Sequence, residues 1–376
     1  IMKLKLKNTP EQVELVRAMG SKDQVAAREA QEAFAAFLGP VVQQVLNQAG
    51  TAGGIFTDAP FDEDDSPSFP LDLYYGENDN HVSVWSQSMA GGLPSSHIAG
   101  MQELKIATYR LDSAVNWLKK YARRARLDVV SKAIERMAQE ILVKQERNAW
   151  AVVLKALAEA NTNSNLHVIP STEANVLQVD DFNRLMTRIK RLNESFANGT
   201  PDVAYSNGIT DLYLSPEMMQ QIRGWAYQPM NTRHGKVNSG TAAGEATSIA
   251  LPDNVREGIY RSAGTQEIFG VNLVELNELG VSKKYNTLFD NYATSTDING
   301  PGGGDFATGT DEILVGVDNS KGAFIRPVAT HDESGGQFVT FADDQWSQRS
   351  EKVGFYGFLE EGRVCIDSRA VAGIMV

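Results

Sequence analysis

Histidine, cysteine and clustered acids are the side chains best suited to chemistry in this chain, and their spacing leaves them little to do. The five histidines, His81, His97, His167, His234 and His331, are scattered with no pair at metal-ligand spacing, so they read as structural residues. The single cysteine, Cys365, lies between Val364 and Ile366 in an apolar run, the setting of a core side chain rather than a nucleophile, and it cannot form an internal disulfide. No HExxH, GxSxG or GxxxxGK[ST] pattern occurs. The run Gly300-Pro301-Gly302-Gly303-Gly304 lacks the preceding strand, the following helix and the lysine that a phosphate cradle needs, and reads as linker. The acids Asp62, Glu63, Asp64 and Asp65 offer oxygens to a hard cation but lack the glycine and alternate spacing of a calcium loop, so a solvated acid patch is expected. No catalytic residue, metal or cofactor is expected.

Charge narrows the partners. A net charge of −12 opposes a surface built to grip phosphate, since affinity for nucleic acid comes mainly from Lys and Arg. The local exception is Lys119, Lys120, Arg123, Arg124 and Arg126. This cluster reads as a solvated helix face or as the partner of acids such as Asp62 to Asp65, a subunit contact included.

The elements that must position these groups come next. At 376 residues, with 42% hydrophobic and 22% charged residues, the chain has the composition of a globular protein of two domains, or one with large excursions. No apolar run reaches the roughly 18 to 20 residues of a membrane span, and a soluble protein made in a cytoplasm is expected. Lys3 to Lys7 alternates as a short strand, Pro10 opens a helix ended by Gly20, and a second helix spans Asp23 to Leu38, interrupted by Gly39-Pro40 and resumed over Val41 to Asn47. Its Ala-rich stripe suits an arm laid across a surface. Residues 51 to 67 read as a solvent-facing connection. Two extended runs, His81 to Met89 and Met101 to Leu111, form a hairpin that needs another surface to bury against. From Asp128 to about Asn161, apolar residues recur at helical spacing over a length of roughly 50 Å. Residues 176 to 330 follow as a mixed α/β body with a helix from Asp180, a strand at 211–214, a helix opened by Ser215-Pro216-Glu217, and strands at 271–276, 313–317 and 323–328. Strand patterns return at 338–341, 352–360, 363–367 and 370–376. The five tryptophans, Trp85 among them, are spread as core or interface residues are.

Arm, acid-rich connection, hairpin, spine helix, mixed body and strand return, in this order, resemble the major capsid proteins of tailed phages, an α+β fold of the Hong Kong 97 type. The residues carrying the resemblance are the hairpin from Ser83 through Trp85 to Leu93-Pro94, its exit from Ala107 to Val115, the spine from Asp128, the strand-to-helix step from Asp211 to Met219, and the closing strands from Phe355 to Arg369. The resemblance implies an N-terminal arm over 1–66, an extended loop over 67–110, a peripheral domain of 111–175 with 331–376, and an axial domain of 176–330. It further implies hexamers and pentamers closing into an icosahedral shell around double-stranded DNA in the virion, with no membrane, and with scaffold, portal and decoration proteins as further partners. Asp62 to Asp65, Trp85, Leu93 and the basic cluster at 119–126 then become interface residues. Some members join subunits by an isopeptide bond from a loop lysine, and residues 71 to 104 contain none, so no such cross-link is expected. Many members carry a long N-terminal scaffolding segment, and none is expected ahead of this arm. An encapsulin-type compartment shell shares the fold, and a cytoplasmic α/β enzyme is the alternative of another class.

Overall fold

The computed structural model describes residues 9–48, 50–62, 65–70, 103–161, 166–194, 208–227, 266–293, 305–331, 337–343 and 351–376. In chain order it has helices α1 (Pro10–Met19) and α2 (Gln24–Gln48), strands β1 (Thr57–Asp62), β2 (Ser68–Pro70), β3 (Glu103–Lys105) and β4 (Tyr109–Leu118), and helices α3 (Lys119–Arg123) and α4 (Leu127–Ala160). Then come β5 (Val168–Pro170), α5 (Val179–Glu194), β6 (Asp211–Leu214), α6 (Pro216–Tyr227), β7 (Gln266–Ile268), β8 (Val271–Glu275), α7 (Lys284–Tyr292) and β9 (Ile313–Val317). The remaining strands are β10 (Phe324–Thr330), β11 (Phe338–Asp343), β12 (Lys352–Glu361), β13 (Val364–Cys365) and β14 (Val371–Met375). The expected α+β class is what these elements form. The strand expected at 3–7, the hairpin tip at 81–100 and the glycine run at 300–304 lie outside the described residues.

The chain divides into two units, the first gathering residues 1–69, 104–149 and 324–364. Its sheet runs β1-β10-β12-β11, with β4 along β12. The sequence reading ended the returning strand at Leu111, yet β4 runs to Leu118 and pairs with β12 from Tyr109↔Glu361 to Leu118↔Lys352. Its alternation continues through Leu111 and Val115 to Trp117, whose ring stacks on Phe355 at 5.3 Å. Residues 57–62, expected as a free connection, pair in parallel with β10 from Thr57↔Ile325 to Asp62↔Thr330. An edge strand of this kind is held by its backbone ladder and carries little apolar signal in its side chains.

The helices α1 and α2 lie on this same sheet. Val16, Met19, Phe34, Leu38 and Val42 join the core made by Trp117, Ile134, Met137 and Phe355. Contrary to expectation, Gly39-Pro40 does not interrupt α2, which carries Pro40 inside a continuous 25-residue helix. A proline removes one backbone donor and crowds the preceding turn, a cost that neighbouring contacts can offset. Thr340 Oγ1 donates to the Ala35 carbonyl at 2.6 Å just ahead of the proline. Gly39 lets the helix come close to β11: a Cβ there would lie 3.3 Å from the Phe338 carbonyl oxygen.

The second unit gathers residues 70–103, 150–323 and 365–376. Its sheet has the order β5-β14-β9-β6-β8-β7, and every residue of β9 and β14 is buried. Helix α5 covers it with Phe182, Leu185, Ile189 and Leu192. At the expected step after β6, Ser215 Oγ accepts from Met218 N at 3.1 Å, the N-cap that starts α6 ahead of Pro216. Helix α7 was not expected. Its buried Asn286 interrupts the apolar pattern while donating to the Asp311 carbonyl at 2.7 Å and accepting from Ile313 N. Helix α4 starts within one residue of the expected position and, in this unit, packs Trp150 against Tyr213 at 4.9 Å and Tyr285 at 5.6 Å. Strand pairing groups 324–330 with the first sheet and 371–375 with the second, where the sequence reading grouped them the other way. Alternation identifies a strand but not its neighbour.

Candidate assembly surfaces

The basic cluster occupies an elbow between β4 and α4 in the first unit. Lys119, Lys120 and Arg123 belong to α3, Arg124 caps it, and Arg126 precedes α4. The turn is made by Ala125 at φ 49°, a left-handed conformation that an L-residue adopts at a cost. Ala122 is the buried foot of the elbow, whereas Lys120, Arg123, Arg124 and Arg126 are exposed. Arg123 is committed within the subunit: its Nε donates to the Gly20 carbonyl at 2.7 Å at the end of α1. The approach is so close that a Cβ on Gly20 would meet Arg123 N at 2.6 Å. Arg123 then lines an open groove with Arg17 and Lys22, in which Glu14 is the one acid among the lining residues. Leu118 and Tyr121, beside the cluster, are exposed at 43% and 38%.

The acids sit elsewhere in the unit. Asp62 ends β1 and Asp65 follows in a turn closed by Asp65 N to the Asp62 carbonyl at 2.9 Å, with both residues exposed. Glu63, Asp64, Trp85 and Leu93 lie outside the described residues.

Sequence reasoning did not find a dense group of charges that ties β1 to the sheet. Glu361 has no exposed side-chain surface and receives Arg326 Nε at 2.7 Å and Arg363 Nε at 3.4 Å. Tyr109 Oη and Gln145 Nε2 donate to the same carboxylate at 2.9 and 3.1 Å. Arg326 also reaches Asp58 on β1 at 3.3 Å, and Arg363 lies over the Phe56 ring at 4.8 Å. Burial alone would raise the Glu361 pKa, but Arg363 and Arg326 together with the donated hydrogen bonds outweigh it and hold the carboxyl below its usual value. Burial and the Glu361 charge push the Tyr109 phenol up to about 12. An enclosed carboxylate whose oxygens are already occupied holds strands together and has no room to receive a substrate.

Cys365, His167 and His331 are structural, while His81, His97 and His234 lie outside the described residues. Burial pushes the Cys365 thiol up to about 12, which leaves no thiolate for attack. His167 is buried with Nδ1 2.9 Å from the Val371 carbonyl, and His331 packs edge-on to Phe358. Among the described residues there is no group of three His, Cys, Asp or Glu placed to hold a metal ion, and no helix is long and apolar enough to cross a membrane.

No family model matches the sequence, and no curated protein matches it. Solved structures do: the capsid of cyanophage P-SCSP1u superposes with a TM-score of 0.52 at 14% identity, covering 87% of this chain and 88% of that one. The chain has a Hong Kong 97 type capsid fold. More distant are the capsid of a native GTA particle, at TM-score 0.49, 10% identity and coverage of 85% and 88%, and an encapsulin complex from Synechococcus elongatus, at 0.40, 9%, and coverage of 73% and 75%. The basic elbow of α3 and the clamp around Glu361 are thus features of one unit of a Hong Kong 97 type fold.

Proposed function

We propose that this chain is the major capsid protein of a tailed bacteriophage, a structural protein that assembles as hexamers and pentamers into the icosahedral head enclosing the DNA genome. The observation that carries this reading is the agreement of fold with a phage capsid over 87% of the chain. On this reading the first unit corresponds to the arm and peripheral domain and the second to the axial domain. An acidic subunit, net −12, supports the same reading because it does not grip the genome that must enter and leave. Assembly takes place in the host cytoplasm with scaffold, portal and decoration proteins as transient or peripheral partners. The role is mechanical: shells need many modest contacts per subunit, each reversible enough for errors to be corrected.

Sedimentation and electron microscopy of the expressed chain test this. Closed shells are expected; only monomers or dimers at high concentration and in infected lysate would remove the reading. Particles from the native source should contain DNA, whereas enclosed enzymes would point to an encapsulin. Boiled in detergent, mature particles should give one band near the chain mass of 41.1 kDa, since residues 71–104 hold no lysine for a loop cross-link. A ladder of multiples would reverse that expectation.

A further inference from the structure

The register of the first sheet puts the basic elbow and Asp62 at opposite ends, with the Glu351 carbonyl beside the elbow accepting from Lys119 N at 2.8 Å. Val328 pairs with Glu361 at one end of β12, and Leu118 pairs with Lys352 at the other, where the chain turns into α3. Asp62 pairs with Thr330, two residues beyond Val328 on an antiparallel neighbour, so it stands level with about Leu359. From Leu359 to Lys352 is seven residues, or roughly 20 Å along the strand at about 3.3 Å each. Asp65 is held close to Asp62 by their backbone bond and cannot close that distance. Among the described residues, Arg124 and Arg126 make no ion pair, and neither do Asp62 and Asp65. Both ends are solvent-exposed.

Arg124 and Arg126 at one end of the sheet and Asp62 and Asp65 at the other are too far apart to pair within one chain. They can pair between two copies placed head to tail, and a heterologous contact of this kind closes into a ring when its rotation allows. We propose that the α3 elbow of one subunit, through Arg124 and Arg126 beside the groove of Arg17 and Lys22, receives Asp62 and Asp65 of a neighbouring copy as a head-to-tail contact. The inference rests on the shell-forming function proposed above. It commits to a second copy rather than to nucleic acid because the chain supplies matching exposed acids at the far end of the same sheet. Arg123 is a positioning residue, since its bond to Gly20 fixes α3 against α1.

The test is a charge swap. Arg124→Glu/Arg126→Glu and Asp62→Lys/Asp65→Lys should each keep the circular dichroism of the wild type and each lower particle yield by about tenfold or more, because a weak pair recurs at every equivalent contact. Combining all four changes in one chain should restore particles, since every elbow then meets a complementary neighbour, and mixing the two variants should restore six-membered rings, in which they can alternate. Raising salt should weaken wild-type assembly without any substitution, which keeps the test valid even if a variant fails to fold. Wild-type yield from either variant, or assembly indifferent to salt, overturns the contact. So does a mixture of the two variants that forms no rings at all while the chain with all four changes assembles, which would place the contact within the subunit. A cation-reversed variant that assembles normally but loses binding to duplex DNA would reassign the elbow to the genome. If wild-type chains form shells and the swap fails, this contact alone falls; if wild-type chains form no shells, the capsid reading falls with it.

Discussion

Two buried glutamates, one in each unit, meet opposite fates. Glu361 in the first unit and Glu312 in the second are exposed by 0% and 1%. Glu361 is held below the usual carboxylate range by its two arginines, while burial, with Glu217 nearby, pushes Glu312 up to about 7 against the favourable bonds from Ser215. One oxygen of Glu312 has no hydrogen-bond partner. Removal from water is common to both, so the company each keeps decides the sign. The first unit invests its buried charge in joining β4, β10, β12 and α4, whereas the second leaves a carboxyl best kept protonated at the start of α6.

The largest effect should come from breaking the clamp. Glu361→Gln leaves Arg326 and Arg363 without their buried counter-charge, which costs about 3 to 5 kcal/mol. Hydrogen exchange should show β10 and β12 opening while β14 of the second unit stays protected; equal exchange in both units would mean that the clamp is not local to the first. The second effect separates the glutamates by pH. A depressed folded pKa contributes stability present above the unfolded value and lost as pH falls through the folded one, so acid should loosen the first unit below about pH 4.5. A raised folded pKa has the reverse sign: Glu312 favours the folded second unit below its unfolded value and costs stability as pH rises towards about 7. Glu312→Gln should therefore stabilise the second unit at pH 8, by on the order of 2 kcal/mol, and little at pH 5. An identical gain at both pH values would show that charge is not the cause. The smallest change is Tyr109→Phe, which removes one of the donors to Glu361 and should cost about 1.5 kcal/mol in urea unfolding of the first unit. No loss there would mean that the arginines alone saturate the carboxylate.

Neither glutamate was visible in the sequence as special. Glu361 finds Arg326 across 35 residues and Tyr109 across 252, and nothing in a local pattern announces such a meeting. What was legible was local: Pro10 and Gly20 around α1, Ser215-Pro216-Glu217 opening α6, and the long apolar stripe of α4. Those signals act within a turn or two of their residues. The errors fell where tertiary contacts override local preference, at Pro40 inside α2, at the edge strand β1 and along the far half of β4. The charged patches at 62–65 and 119–126 were readable as composition. The placement of Asp62 and of the 119–126 cluster at opposite ends of one sheet belongs to strand register, which depends on partners far away in the chain.

The position of β14 has a consequence for the order of events during synthesis. This strand lies between β5 and β9, paired Gly373↔Val168 on one side and Gly373↔Val315 on the other. Gly373 fits so tightly that an added Cβ would lie 2.8 Å from the Leu314 carbonyl oxygen. Until Val371–Met375 has left the ribosome, the second sheet has a gap between β5 and β9 and no strand to fill it. Pairing across some two hundred residues is a slow closing step. A nascent or prematurely terminated chain therefore cannot complete that unit. The strand shared by β5 and β9 thus acts as a late check on the second unit, since a chain that stops before Val371 leaves the gap between them open.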